Sequence, residues 1–544
     1  MGEAERHGGS EVAAVTVATG ARRAASPALE RYEAVIGIEV HCQPKTASKL
    51  FCRCRADYDG APPNSLVCPV CLGLPGVLPV LNRRAVEHVL RVGLAIGATI
   101  PAVTRWDRKN YFYPDLPKGY QISQYQIPLA ANGRLVVETS EGPLTVRIRR
   151  AHLEEDTAKL IHADLDGRAV SLVDFNRSGA PLMEIVTEPD IRTAEGARRY
   201  AEELQLLLRT IGASDADMER GQLRVEANVS VRPRGSTELG TRIEIKNMNS
   251  FRSVERAIAH EIERQVAALE AGEPLRQETR GWDENRGLTY VMRVKESEDD
   301  YRYFPEPDLP PLRIDPAWLE AIRAELPELP AARRARYRDV LGLPPADAAV
   351  IVGDLEATAL FETLLAAGSP PKAAANWVTG EYLRHRKGGG VPAERLAPAR
   401  LGPELARLIA LVEAGRLTLA NAKAILAAHI EGGEAVETLA AGYERIDDAA
   451  AIERIVDEVL AANPAAVADV RSGKDQAVRF LVGQVMKATR GQANAARAEA
   501  AIRSRLGQAA GAQGPNDPAA ASQGPSDPAA ADQAAADPGA GPSP

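Results

Sequence analysis

The sequence predicts an α+β protein: an N-terminal domain built on an antiparallel sheet, then an all-α helical domain, then a C-terminal all-α tail domain. Three observations predict it. The dominant hydrophobic period is 2 in several segments up to about Asp308, it becomes 3.6 beyond about Asp315, and both ends of the chain carry no sustained period. The length of 544 residues fits three or four domains at roughly 150 residues each.

Residues 1–30 are rich in Ala, Gly, Arg and Glu, and are expected to be a disordered extension. Val35 to Cys42 (VIGIEVHC) then alternates, with Ile36, Ile38, Val40 and Cys42 on one face and Glu39 and His41 on the other. Val225, Ala227, Val229 and Val231 alternate with Arg224, Glu226, Asn228, Ser230 and Arg232, and Ile243 and Ile245 with Arg242, Glu244 and Lys246. Such strands suit an antiparallel sheet with one face packed and one wet. Helical periods at Thr193–Thr210 and Val254–Leu269 make this domain, 31–314, α+β. Beyond it, Leu405, Leu408, Ile409 and Val412, then Ile452, Ile455, Val456 and Val459, then Val478, Leu481, Val482 and Val485 mark amphipathic helices. A Gly- and Pro-containing break, Lys387–Pro403, divides a helical domain, 315–395, from a tail domain, 396–507. Residues 508–544 hold a tandem decamer (GPNDPAAASQ, GPSDPAAADQ) with no Lys or Arg, expected to be a disordered spacer.

Charged residues are 26% and hydrophobic ones 45%, enough apolar content to offset ordering entropy across most of the chain. No run approaches the ~18 uncharged apolar residues of a membrane helix, and the N-terminus lacks a signal-peptide layout, so a cytoplasmic location is expected. The net charge of −8 excludes a uniformly basic coat but not a local basic patch.

The sharpest spacing is Cys52-x-Cys54 followed by Cys68-x2-Cys71, two thiolate pairs that a loop can fold into one tetrahedron. Four thiolates leave no open position for water, so the zinc ion expected there is structural. Cys42 shares the apolar strand face and reads as a core residue. Glu39 and His41 lie two residues apart on the wet face. A second acidic cluster follows at His152, Glu154, Glu155 and Asp156, and Glu184 is a further carboxylate. Imidazole with several carboxylates suits Mg2+ bridging nucleotide phosphates; any one of these groups alone is more often a solvated face or a satisfied ion pair. Asp107–Tyr125 sets Arg108, Lys109 and Lys118 among tyrosines, and Asp300–Phe304 is a smaller version; both suit phosphate binding and base stacking, or a tyrosine-packed surface loop.

Arg471, Lys474, Arg479, Lys487, Arg490, Arg497, Arg503 and Arg505 face only Asp475 and Glu499 in the same stretch, an excess that points to a polyanion or to a solvated helix face. There is no P-loop, no G-x-S-x-G elbow and no glycine-rich dinucleotide turn, so ATP, if bound, is held another way.

The runs IGIEVHCQ, CPVCLGLPGVLPVLN, DRKNYFYPDLPKGYQISQY, HLEEDTAKLIH, SLVDFNRSGAPLMEIVTEPD, EANVSVRP, EIKNMNSFRSVERAI and DYRYFPEPDLPPL closely resemble the GatB family, the B subunit of the bacterial tRNA-dependent amidotransferases, from about Tyr32 to Leu312. The helical half resembles it through NWVTGEYL and a closing domain of the YqeY type, in which Ala495 stands where the family usually has Pro. The resemblance implies a cradle-shaped kinase and transamidase domain at 31–314. It also implies a heterotrimer with two partners, a small C subunit plus an amidase-type A subunit. In the implied reaction ATP phosphorylates the Glu or Asp side chain misacylated on tRNA(Gln) or tRNA(Asn), and ammonia from glutamine, delivered by the amidase partner, replaces the phosphate. Carried over, Cys52, Cys54, Cys68 and Cys71 are zinc ligands, and Glu39, His41, Glu154 and Glu184 form the Mg2+ region. Glu155 and Lys246 join His41, Glu39 and Glu154 as catalytic candidates, while Lys118, Asn247 and Arg302 belong to the nucleotide site. Arg471, Lys474, Arg479, Lys487 and Arg490 fall in the domain that grips the tRNA body. The competing expectation is a non-catalytic tRNA-binding scaffold of the same complex. An archaeal relative with an extra inserted domain finds no room in this chain.

Overall fold

The structure is a computed structural model and describes residues 27–294, 301–443, 446, 448–489 and 491–507. Of the two expected extensions, residues 1–26 and 508–544 lie outside the described residues, and Pro27–Arg31 forms a short helix. The chain divides into two compact units, residues 1–358 and 359–544. The architecture is α+β, as expected.

The first unit is organised by eight strands: β1 (Tyr32–Cys42), β2 (Ala130–Thr139), β3 (Gly142–Glu155), β4 (Pro181–Thr187), β5 (Leu223–Pro233), β6 (Ile243–Met248), β7 (Glu278–Asp283) and β8 (Leu288–Val294). They form one sheet in the order β8-β7-β6-β5-β1-β4-β3-β2. Neighbours run antiparallel except β6 and β7, which are parallel. The exception has a cause: β6 leads into the helix α3 (Phe251–Glu270), and such a crossover returns the chain in the direction it left.

One face of the sheet is packed. Ile36, Ile38, Val40 and Cys42 of β1, Met183 and Ile185 of β4, and Val225, Ala227 and Val229 of β5 are buried in a single core. The helices α1 (Arg83–Ala95), α2 (Ala194–Thr210) and α3 cover that face. Their starts are set by side chains that accept orphan backbone N–H groups: Asn82 for α1, Thr193 for α2 and Ser250 for α3. The other face carries the polar alternates Glu39, His41, Glu184, Arg224, Glu226 and Lys246.

The second unit is helical and contains α4 (Pro398–Glu413), α5 (Ala449–Ala462), α6 (Asp475–Ala488) and α7 (Ala495–Arg505). α4 begins five residues before Pro403, inside the stretch expected to be a break, because Pro398 occupies the first helical position, where its missing N–H costs nothing. Ile452, Val456, Val459, Val478, Leu481 and Val485 are buried together with Ile502. Ala495 opens α7 normally: the Asn494 side chain accepts from the N–H groups of Ala496 and Arg497.

Candidate functional site

The polar face of the sheet gathers its ionisable groups through strand register. Glu39 pairs with Glu226, His41 with Arg224 on one side and Glu184 on the other, and Glu184 with His152. Residues paired this way hold their side chains side by side on one face. His41 Nε2 therefore lies 3.6 Å from Glu39 Oε1, 3.8 Å from Glu154 Oε1 and 3.5 Å from Glu184 Oε2. His152 Nε2 approaches the same carboxylates from the far side, 3.7 Å from Glu154 and 3.5 Å from Glu184. Ser123 Oγ donates to Glu154 over 2.9 Å.

Charge in this cluster is unevenly shared. Burial lowers the His41 pKa, but the hydrogen bond and charge of Glu184, with Glu39 and Glu154, push it up to about 9. Burial and the Glu184 charge raise Glu39 to about 7, against the pull of His41. Glu184 is held well below the usual carboxylate range, since the two imidazoles outweigh its burial. Two ammonium groups flank the acids. Lys246 Nζ lies 2.8 Å from Glu226 and 3.3 Å from Glu244. Lys109 stays charged because Glu154 and neighbouring tyrosines more than offset its burial, and its Nζ sits 5.0 Å from the Tyr301 ring centre.

Two donor sets bring their ligand atoms within 4.8 Å of one another: His41, Glu154 and Glu184, and Glu39, His41 and Glu226. Oxygen-rich sets with one imidazole match the chemistry of a hard divalent cation.

The remaining expected residues separate. Glu155 follows Glu154 on β3 and so points to the opposite side, where it accepts from Lys118 Nζ over 2.5 Å and from the Ile122 N–H over 2.9 Å. Both residues line a cleft of about 250 Å3 beside the cysteine loop. Asn247 adopts a left-handed backbone (φ 63°), and its amide nitrogen lies 3.4 Å from the Tyr290 hydroxyl. Arg302 is exposed, also left-handed (φ 45°), and its carbonyl accepts from Asn110. Three residues without an individually assigned role join the cluster: His152 and Lys109, which the sequence places in candidate segments, and Glu226, which it shows only as a polar alternate of its strand. Their signals are the alternation of β5, the HLEED run and the basic tyrosine segment.

The sulfur atoms of Cys52, Cys54, Cys68 and Cys71 also lie within 4.8 Å of one another. Cys71 Sγ accepts from the Cys68 N–H over 3.1 Å, and the hydrogen bond between Cys52 and Cys71 pulls the Cys71 thiol down while pushing the Cys52 thiol up, so the pair shares a proton that a bound metal would displace. The loop is anchored by the buried Lys49, whose Nζ donates to the Leu66 carbonyl over 2.9 Å, and by Asn176, which accepts from the Leu66 N–H. Cys42 is fully buried in the sheet core, as its strand face requires.

In the second unit, Arg471, Lys474, Arg479 and Lys487 are all exposed, on or next to α6; Arg490 lies outside the described residues. Among the described residues no helix is long and apolar enough to cross a membrane.

The GatB/GatE catalytic domain matches residues 34–320, and the GatB domain that follows it matches residues 359–506. The chain belongs to the GatB family. Relatives within the family are named as the B subunit of aspartyl/glutamyl-tRNA(Asn/Gln) amidotransferase. The protein from Moorella thermoacetica is 50% identical over 478 residues, 87% of this chain and 100% of that one. Those from Thermosynechococcus vestitus and Thermomicrobium roseum are each 50% identical, over 85% and 88% of this chain and 94% and 99% of their own. The GatB match covers both the polar sheet face and the exposed basic stretch around α6.

Proposed function

We propose that this chain is the carboxylate-activating member of a glutamine-dependent tRNA amidotransferase, working in a heterotrimer with an amidase-type partner that releases ammonia and a small third protein. Its substrates are Glu-tRNA(Gln) and Asp-tRNA(Asn), ATP, and the ammonia that the amidase partner releases from glutamine. A side-chain carboxylate oxygen attacks the γ-phosphorus of ATP and ADP leaves. Ammonia then attacks the acyl carbon of the acyl phosphate, inorganic phosphate leaves, and an amide remains.

The observation that carries this reading is the gathering of Glu39, His41, Glu154 and Glu184 on one wet face, with Lys109 and Lys246 beside them. Phosphoryl transfer needs positioning and charge compensation rather than a protein nucleophile. His41 and the three glutamates are the groups that would hold Mg2+, which supplies Lewis-acid compensation of phosphate charge when bound. The two ammonium groups offset the negative charge that a triphosphate brings to an acidic surface. The imidazole must give up its proton to become a ligand, so cation binding and proton release are linked. Cys52, Cys54, Cys68 and Cys71 would hold a structural zinc ion that fixes a loop with little core of its own. The exposed bases around α6 would grip the tRNA body.

The test is amide formation on misacylated tRNA by the reconstituted trimer. His41→Ala should abolish it while glutaminase activity remains measurable. Full transamidation by that variant defeats the reading and favours a tRNA-binding scaffold.

A further inference from the structure

The wet face of the sheet does not end at Lys246. Lys246 pairs with Gly281 of β7, and Gly281 pairs with Tyr290 of β8, so the row that starts at Glu39 and passes through Glu226 and Lys246 ends on a tyrosine. The Tyr290 ring lies across Gly281: a Cβ added there would come within 2.5 Å of the ring's Cζ and 2.6 Å of its hydroxyl oxygen. The glycine thus leaves a flat place on the sheet, and the ring occupies it with one side turned to solvent. Tyr290 is 40% exposed and Met292, two residues along the same strand, is 49% exposed. The left-handed turn at Asn247 brings its amide nitrogen 3.4 Å from the Tyr290 hydroxyl and 3.9 Å from the Met292 sulfur. An exposed ring, a thioether and a carboxamide therefore share one shelf, beside a cleft of about 590 Å3 that Asn247, Ser250, Trp282 and Tyr290 help to line.

Resting on the function proposed above, we infer that Tyr290 is the stacking platform for the adenine of ATP, with Asn247 at the edge of the base and Lys246 beneath the phosphates. Distance supports this. From β1 to β7 there are three strand spacings of roughly 4.8 Å, about 14 Å in all. An extended nucleoside triphosphate needs a span of that order between its base and its terminal phosphate. Chemistry supports it too. An aromatic face gives the π-face of a purine a stacking surface, and a carboxamide offers one donor and one acceptor to match the acceptor and donor of an adenine edge. The intervening ammonium sits where the triphosphate would pass.

The second purine in the reaction is the terminal adenosine of tRNA, so the experiment separates the two sources. Equilibrium binding to the intact trimer is measured for ATP, for inorganic tripolyphosphate, and for misacylated tRNA without nucleotide. Tyr290→Ala should weaken ATP binding about tenfold, the size of one lost stacking contact. Tripolyphosphate and tRNA binding should not change, and Tyr290→Phe should bind ATP within about threefold of wild type because the ring remains. A photoreactive azido-adenine ATP should label the strand Leu288–Val294. Unchanged ATP affinity in Tyr290→Ala, an equal loss for tripolyphosphate, a loss for tRNA instead, or labelling at the stacked rings of Tyr125 and Tyr303, 4.2 Å apart, would each overturn the platform. The two readings fail separately. Loss of phosphoryl transfer in His41→Ala with unaltered ATP affinity in Tyr290→Ala removes the platform alone, whereas phosphoryl transfer surviving in His41→Ala removes both.

Discussion

Glu184 Oε2 stands between two imidazoles, 3.5 Å from His41 Nε2 across β1 and β4 and 3.5 Å from His152 Nε2 across β4 and β3. One half-buried carboxylate therefore orients both rings. Glu184→Gln keeps the shape and removes the charge. Preorganised charges of this kind are worth roughly 10²–10³ in rate, so the variant should lose at least about 10²-fold in transamidation and need more Mg2+ to reach half its rate. An amide fills the same space, so the variant should keep the wild-type fold, with a lower melting temperature because the favourable charge between the two imidazoles is lost. A titration of rate against Mg2+ checks this, and wild-type behaviour would show that the carboxylate is a bystander.

Cys68→Ser tests the thiolate set. Cys68 supplies a sulfur and also the N–H that reaches Cys71 Sγ over 3.1 Å. With one thiolate gone, three sulfurs cannot close a tetrahedron, and zinc content by atomic absorption should fall toward zero. The loop from Cys52 to Cys71 should also become easier to cleave by protease, since a bound ion would hold segments with little apolar contact of their own. Unaltered zinc stoichiometry would refute the assignment.

Much of this site is legible in short stretches of sequence, and the limit is the reach of local pattern. The alternation of VIGIEVHC alone places Ile36, Ile38, Val40 and Cys42 in the core and Glu39 and His41 on the wet face. The same rule separates Glu155 from Glu154, since neighbours on a strand face opposite ways. What local pattern cannot supply is the partner strand. Lys246 meets Glu226 because β6 pairs with β5, and Lys109 meets the Tyr301 ring although nearly two hundred residues separate them in sequence. Gly281 and Tyr290 each look unremarkable until register stacks one over the other. The helix start at Pro398 is obscured for another reason: Pro is a breaker within a helix but a good first residue, and composition alone does not tell the two apart.

His88 should make the first unit sensitive to acid. It is 1% exposed in α1, its Nε2 donates to the Lys45 carbonyl over 2.8 Å, and its Nδ1 has no hydrogen-bond partner among the described residues. Burial pushes its pKa down to about 4 from an ordinary 6.5. The unfolded chain therefore binds the proton first as pH falls. The stabilising contribution is complete above about pH 6.5 and is lost on the way to about pH 4, up to about 3 kcal/mol in all. Between pH 7 and pH 5 the wild-type melting temperature should drop more than that of His88→Gln, which keeps a donor for Lys45. Parallel losses would assign the acid sensitivity to other groups.

The basic stretch of the second unit can be divided by what its charges already do. Arg503 is paired with Asp475 at 3.0 Å and Glu499 at 2.9 Å, and Arg505 with Glu453 and Asp457 at 3.0 Å. By contrast, α6 buries Val478, Leu481 and Val485, and the helical period then turns Arg479 and Lys487 outward. Outward charges that meet phosphates release counterions, and internally paired ones do not. Arg479→Ala and Lys487→Ala should therefore each weaken tRNA binding and flatten the plot of log affinity against log salt by about one unit of slope. Arg503→Ala should leave that slope unchanged and lower the melting temperature instead. The reverse pattern would move the tRNA contact away from α6.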